Sequence, residues 1–525
     1  MTVFSWRYLD LYYVKVYGSF LKGSIRMADI KVKNLTFAYD GQLTPLFKKV
    51  NLNIGLDWKL GLLGRNGQGK TTFLKLLLGE LAPNGGQIER QTTFKYFPLK
   101  IDHPSYPTIM AIQDNYPIEE WELKKELSKM CSNSDELIWR PYAELSGGEQ
   151  TKVQLATLFK NDDVFPLIDE PTNHLDGKSR KQVADYLKHK KQGFIVVSHD
   201  VAFLNQIIDH VLSIERNTIL QFHGNFDTYK VEKENQDQNY LEENQKLKNE
   251  ITRLRETARE KKNWAVQREK DNYGNPHVKG SGGTGHSGFT SARAKRSMKR
   301  SKAIQKRIDQ EIKQKQALFN NIIETSPLTI NYIPSRKDEV LSFKDFQLGY
   351  GSPLFAPVTF TLKRNEQLII TGQNGIGKST LFKFILNLVQ MNSTGDFHVN
   401  SHAKISYLSQ SVKLNGTIMQ LADQNRLNFN EILNLLRKLG MPREVFNLPI
   451  EQMSKGQQKK VALAKSLVEP ANLYLWDEPL NYLDIENQQQ ILTLIKEKSP
   501  TMLIVEHNQK FIDSFDLQFV KCLKR

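Results

Sequence analysis

Apolar and polar positions alternate over residues 30–37 and again over 341–348, and this period of two predicts a strand at each place. Each run ends in a turn after a tyrosine, Tyr39-Asp40-Gly41 in the first and Tyr350-Gly351 in the second. Beyond each turn an apolar run, Leu60-Gly61-Leu62-Leu63 and Leu368-Ile369-Ile370, predicts a buried strand leading into a glycine-rich loop. The halves repeat at a spacing near 308 residues and predict two tandem α/β domains, over 28–228 and 331–525.

The segment between them has another rhythm. Residues 229–264 are nearly free of Gly and Pro, and Leu247, Ile251, Leu254 and Ala258 recur at four-three-four spacing, the pattern of a coiled-coil seam. Asn272-Tyr273-Gly274-Asn275-Pro276 and the glycines of 279–285 break it. Helical spacing resumes near Ser291, with Met298, Ile304, Ile308, Ile312 and Phe319 on one stripe, and Pro327 closes it. The prediction is an antiparallel helical hairpin over 229–330, about 45 Å long. Its tip loop falls within 265–292, and a hairpin of that length projects from its domains. Trp264, Tyr273, His277, His286 and Phe289 are tip candidates for stacking on bases, the alternative being aromatics that pack the loop.

Charge sharpens this picture. The chain of 525 residues carries a net +16, which favours an anionic partner such as nucleic acid or a membrane surface. From Arg253 to Arg307 there are sixteen Lys or Arg against four Asp or Glu. Arg293, Lys295, Arg296, Lys299, Arg300, Lys302, Lys306 and Arg307 have no acid among them. A solvated helix face usually mixes signs, so a one-signed run favours contact with a phosphate backbone. Two cysteines, at 131 and 522, exclude a disulfide framework and a thiolate zinc site. No run of 18 apolar residues is present, so no membrane span is expected. Residues 1–27, rich in aromatics, read as a leader or disordered extension; an amphipathic membrane anchor is the alternative.

The loops carry the chemistry. Gly64-Arg-Asn-Gly-Gln-Gly-Lys70-Thr71 and Gly372-Gln-Asn-Gly-Ile-Gly-Lys378-Ser379 are Walker A sequences. Their glycines, Gly64, Gly67, Gly69, Gly372, Gly375 and Gly377, let backbone N–H groups wrap phosphates at close range. Lys70 and Lys378 would reach the β- and γ-phosphates of ATP, and Thr71 and Ser379 would offer hydroxyls to Mg²⁺. Asn66, Thr72, Asn374 and Thr380 complete the two nucleotide loops. The strands Leu167-Ile168-Asp169-Glu170 and Leu473-Tyr474-Leu475-Trp476-Asp477-Glu478 end in paired acids. Asp169 and Asp477 suit Mg²⁺, while Glu170 and Glu478 suit a general base that polarises the attacking water. His199 and His507 each follow a further apolar strand, where a γ-phosphate sensor would sit. Leu145-Ser146-Gly147-Gly148-Glu149-Gln150 opens a helix and forms a second anion-binding surface.

The order Walker A, Leu-Ser-Gly-Gly, Asp-Glu-Pro and His resembles that of ABC-type nucleotide-binding domains. The resemblance implies two domains facing head to tail, each ATP lying between one Walker A loop and the other domain's signature. Site one would then hold Lys70, Thr71, Asp169, Glu170 and His199 with Ser454 and Gly456. Site two would hold Lys378, Ser379, Asp477, Glu478 and His507 with Ser146, Gly147 and Gly148. Tyr39 and Tyr350 match the position whose ring stacks on adenine. The family's metal- and water-contacting Gln is Gln410 in the second half and is replaced by Leu99 in the first. Lys455 stands in the second signature where Gly is usual, and Pro166 interrupts the first Walker B strand, where a local distortion is expected. These departures predict unequal turnover at the two sites.

Residues 28–525 as a whole resemble the ABC-F group of ribosome-associated ATPases. Asp169-Glu-Pro-Thr-Asn-His-Leu-Asp176, the tandem domains and the helical insert carry that likeness. Phe37-Ala-Tyr-Asp40, Trp58-Lys-Leu-Gly-Leu-Leu-Gly-Arg-Asn-Gly67 and Tyr96-Phe-Pro98 look like the Lsa-type antibiotic-resistance branch. The lack of an arm insert before Gly147 and an end at Arg525 without a basic tail agree with that branch. The resemblance implies a cytoplasmic, monomeric ribosome protection protein that enters the exit site of the 70S ribosome. Its hairpin would lie along peptidyl-site tRNA, and its tip would approach 23S rRNA at the peptidyl-transferase centre. Pleuromutilin, lincosamide and streptogramin A are the expected drugs. A translation factor that relieves stalled ribosomes without resistance is the alternative.

Overall fold

A computed structural model of the chain describes residues 30–41, 44–90, 92–161, 163–173, 175–215, 217–272, 303, 306–312, 326–515 and 518–521. The first Walker A strand, Lys59–Leu63, is buried from Leu60 onward, as a strand covered on both faces must be. It lies inside a six-stranded sheet in the order Thr93–Phe97, Val164–Asp169, Phe194–Val197, Lys59–Leu63, His210–Glu215, Thr218–His223. All neighbours are parallel except the last pair. The alternating strand Ile30–Phe37 instead joins a separate antiparallel sheet between Phe47–Ile54 and Gly85–Arg90. It buries Ile30, Val32, Leu35 and Phe37 against the Walker A helix, Lys70–Leu78.

The second module repeats this plan. Ile405–Leu408, Leu473–Asp477, Met502–Val505, Gln367–Thr371 and Gln518–Lys521 form a parallel sheet in that order. Glu339–Gly349 sits between Val358–Lys363 and Asn392–Val399 in an antiparallel sheet. Phe343 and Phe346 are 1% exposed beneath it, and full burial of such a ring contributes roughly 1.5–3 kcal/mol. Between Walker A and the signature each module inserts short helices, Thr108–Gln113 and Glu120–Leu127 in the first, Ile418–Gln424 and Phe429–Lys438 in the second. Both modules belong to one compact unit, residues 1–229 and 325–525.

Pro166 corrects one expectation. Its strand runs through without distortion, and the pairing with Thr93–Phe97 is regular from Val164 to Ile168. The reason lies on the other edge. In module two, Tyr474 pairs with Met502 and its N–H donates to the Thr501 carbonyl at 3.0 Å. Pro166 occupies the matching position, has no N–H, and the ladder with Phe194–Val197 starts one residue later, at Leu167. The Gln192 side chain donates instead to the carbonyls of Val164 and Asn161.

Residues 230–324 form a second unit. The helix Phe226–Asn272 runs into it and includes eight residues of the expected tip region, 265–272, with Trp264 just before them. Along the seam Ile251 and Ala258 are buried, Leu247 and Leu254 half-buried, and their flanks exposed. Residues 306–312 are also helical, and Ile308 is buried. The expected antiparallel pairing, the tip candidates at 273, 277, 286 and 289, most of the basic run and residues 1–29 lie outside the described residues. Among the described residues no helix is long and apolar enough to cross a membrane.

Candidate active site

Each Walker A loop turns on glycines in the left-handed region. Gly67 and Gly69 have φ of 86° and 97°, and Gly375 and Gly377 have 79° and 104°. A side chain at any of these positions would be strained. Gly69 and Gly377 cap the helices that begin at Lys70 and Lys378, so the helix N–H groups open into the loop. Lys70 Nζ folds back to the carbonyls of Gly64 at 2.7 Å and Arg65 at 3.4 Å and to Asn66 Oδ1 at 3.3 Å. Lys378 Nζ reaches the carbonyls of Gly372 at 2.9 Å and Gln373 at 2.8 Å. Asn374 holds the place of Asn66 in the second loop.

The paired acids stand beside these loops. In module one, Asp169 Oδ2 accepts from Thr71 Oγ1 at 3.0 Å and from the Tyr96 hydroxyl at 2.9 Å. In module two, Asp477 is 1% exposed, and burial raises its pKa to about 6 against the Ser379 hydroxyl, which favours the ionised form. Glu170 and Glu478 have φ of 54° and 47°. This turns each side chain off its strand line, while its N–H still donates to the neighbouring strand, at Val197 and Val505. Residues in this region cost energy and persist only where the surroundings hold them.

The two glutamates differ in what holds them. Glu170 Oε1 lies 3.2 Å from His199 Nε2. Burial raises the Glu170 pKa while the Lys70 ammonium opposes it, and burial lowers that of His199. Glu478 Oε2 instead accepts from Gln410 Nε2 at 2.8 Å and from Asn481 Nδ2. His507, whose pKa burial lowers to about 4, keeps its Nε2 buried without a hydrogen-bond partner among the described residues. Strand register equates Leu99 with Gln410, because Tyr96 pairs with Leu167 as Tyr407 does with Leu475. Leu99 is buried, and its N–H donates to Gln154 Oε1 at 2.8 Å.

The signatures are helix starts. Ser146 and Ser454 cap the helices Gly147–Leu158 and Lys455–Val468, each with a reciprocal bond to Glu149 or Gln457. The structure brings the second signature to the first Walker A loop: a methyl on Gly456 would lie 3.2 Å from Asn66 Nδ2 and 3.0 Å from the Tyr482 carbonyl. Asn66 Nδ2 donates to that carbonyl at 2.9 Å, and Arg65 pairs with Glu486 at 2.7 Å. Gly148 packs within its own module, where a methyl would lie 3.2 Å from Ser179 Oγ. Tyr39 and Tyr350 are 43% and 72% exposed, and the Tyr39 hydroxyl bonds Thr72 Oγ1 at 2.9 Å. Thr380 lies in the first turn of its loop's helix.

Several residues at these centres escape a reading of motifs. Tyr96 and Tyr407 join through strand pairing. Lys459 Nζ donates to the carbonyls of Ser409 at 3.1 Å and Asp477 at 3.3 Å, tying the Gln410 loop to its Walker B strand. Lys460 and Asp484 form an ion pair of 3.2 Å with both side chains 4% exposed. Asp484 also raises, and Lys460 lowers, the pKa of Lys70 in the other module, where burial is the larger cause. The tandem spacing would have pointed to Lys460 and Asp484; Lys459 left no signal.

Comparisons with known proteins agree with this geometry. The family model described as ABC transporter matches residues 47–173 and 355–481, one segment in each module. The ribosome protection protein VmlR of Bacillus subtilis is 29% identical over 91% of this chain and 84% of its own length. The ABC transporter F family member 5 of Arabidopsis thaliana is 24% identical over 92% of this chain and 73% of its own. An archaeal ribosome recycling factor solved with a ribosomal stalk protein shares the fold, with a TM-score of 0.57 at 18% identity, covering 93% of this chain and 87% of that one. The two modules bind and hydrolyse ATP, and the chain as a whole is similar to a ribosome protection protein and to an ABC transporter F family member.

Proposed function

We propose that this ATPase protects ribosomes from antibiotics. ATP would lie between the Walker A loop of one module and the signature of the other, with Tyr39 and Tyr350 against the adenine. Glu170 and Glu478 would take a proton from the attacking water, and His199 and His507 would face the γ-phosphate. Mg²⁺ fits the donors present. Among the described residues neither buried carboxylate oxygen of Asp477 meets a donor in full hydrogen-bond geometry, an arrangement suited to an outside cation. Thr71 and Asp169 would hold the ion in site one, and Ser379, Asp477 and Gln410 in site two. It would supply charge neutralisation on the phosphates.

Binding and hydrolysis then switch the pair of modules between two states. The partner read from the charge is RNA. The monomer, in the cytoplasm, would enter the exit site of the 70S ribosome. There its basic insert would meet peptidyl-site tRNA and 23S rRNA by shape and charge. Its tip would dislodge pleuromutilin, lincosamide and streptogramin A drugs, as in the Lsa-type branch. The observation that carries this reading is the alignment with a ribosome protection protein, which spans both modules and the segment between them.

The test is growth of a susceptible host on a drug panel. Wild type is expected to protect, and the Glu170→Gln/Glu478→Gln variant to arrest growth by staying on ribosomes. Ribosome binding without protection against any drug would favour the translation-factor reading instead.

A further inference from the structure

The helices that follow the two Walker B turns make one reciprocal contact that the catalytic motifs do not include. Asp176 caps the helix Gly177–Lys188 and Asp484 caps Ile485–Lys498. Four residues beyond each acid, a side chain crosses to the other module. Arg180 Nη1 donates to the His507 carbonyl at 2.8 Å, and Gln488 Nε2 donates to the His199 carbonyl at 3.3 Å. The contact is thus made twice, about a pseudo-two-fold relation between modules. Each of the two histidines is gripped through its backbone by the opposite module.

The two grips are unequal. Arg180 is itself anchored, 3.0 Å from Asp200 Oδ2, and Asp200 is fixed as the cap of the helix Val201–Ile207. Its guanidinium is 18% exposed, and its charge also favours the ionised form of Glu506, whose Oε1 accepts from the N–H groups of His507 and Asn508. Gln488 is neutral and longer in its contact. A charge-assisted bond from a pre-anchored donor restricts its acceptor more than a neutral one does. The difference falls on the two sites unequally. His507, held by Arg180 through its carbonyl, keeps Nε2 buried with no hydrogen-bond partner among the described residues, while His199 Nε2 lies 3.2 Å from Glu170 Oε1, an oxygen that likewise has no hydrogen-bond partner there.

We propose that Arg180 of module one is a positioning residue for His507, so that module one completes site two, and that Gln488 does the weaker reciprocal service for His199. The inference rests on the assignment above of His507 and Glu478 to site two and of His199 and Glu170 to site one. It goes beyond that assignment in naming the groups through which each module senses the other. Loss of Arg180 frees the His507 backbone and with it the direction of the ring.

Phosphate release at saturating ATP tests this, with each site isolated by its own Glu→Gln change. In the Glu170→Gln background, where site two keeps its base, Arg180→Ala is expected to lower kcat about tenfold and to leave KM for ATP within about twofold. Arg180→Lys, which keeps charge and a donor, is expected to recover most of the rate. In the Glu478→Gln background the same Arg180→Ala change is expected to alter site-one turnover less than about twofold. Arg180→Ala without effect in the first background overturns the proposal. So does an equal fall in both backgrounds with a raised KM, the signature of a loosened module interface. A failed site assignment looks different, because Glu478→Gln alone would then leave turnover intact.

Discussion

Asn66 Nδ2 donates to the Tyr482 carbonyl across 2.9 Å, tying the Walker A loop of one module to the turn after the Walker B strand of the other. Tyr482 has φ of 64°, and its ring lies 5.8 Å from the Lys455 ammonium. Lys455, which stands in the second signature where Gly is usual, thus meets the Tyr482 ring beside Asn66. Gly456 is the tight point, since any Cβ there approaches both Asn66 and Tyr482. Gly456→Val is expected to lower steady-state ATP hydrolysis at least severalfold, whereas Gly177→Ala, with nothing within 4 Å, is expected to leave it unchanged.

The buried pair Lys460–Asp484 has a large asymmetric cost of removal. Lys460→Met would leave Asp484 charged and almost fully enclosed, which destabilises by about 3–5 kcal/mol. A clear fall in the thermal unfolding midpoint is expected for Lys460→Met. The double change Lys460→Met/Asp484→Asn is expected to recover much of it, because no charge is then stranded and Asn still caps the helix Ile485–Lys498.

Glu506 makes stability depend on pH. Burial, and then the charge of Glu478, raise its pKa from 4.5 to about 7 against the opposing Arg180. The folded chain therefore binds more protons than the unfolded chain between pH 4.5 and 7, so this group's contribution falls as pH rises through that window and levels off above it. Its size is about 3 kcal/mol. Glu506→Gln keeps the acceptor for His507 and Asn508 and removes the charge. The variant is expected to unfold at a higher temperature than wild type at pH 8 and at a similar one at pH 4.5; equal midpoints at pH 8 would contradict the buried charge.

The basic run of the insert predicts a salt effect. Replacing Arg293, Lys295, Arg296, Lys299, Arg300 and Lys302 by Gln is expected to weaken ribosome binding and to flatten its dependence on salt. Basal ATP hydrolysis without ribosomes is expected to be unchanged. Sedimentation with 70S particles over a salt series reads the slope.

The centres were legible wherever chemistry demands a local pattern. Phosphate binding needs glycines at fixed spacing before a helix, and a buried strand ending in two acids is conspicuous in any chain. Hydrophobic period placed the strands that carry them, and on the helix after the first module two of the four expected seam positions, Ile251 and Ala258, are buried. Pro166 shows where local rules mislead: Pro was expected to distort the strand, yet the missing N–H only delays one ladder by a residue, because the other edge and Gln192 hold the strand in place.

Covalent order alone thus determined two ATPase modules, their Walker and signature groups, and a basic insert between them, since each rests on neighbours along the chain. Tertiary structure decided which groups meet across distance. Tyr96 reaches Asp169 through strand register, Arg180 and Gln488 reach the opposite histidines through docking of the modules, and Lys460 finds Asp484 by helix packing. Such contacts join residues tens to hundreds of positions apart, and hydrophobic burial, which brings them together, is non-directional and leaves no local mark in sequence.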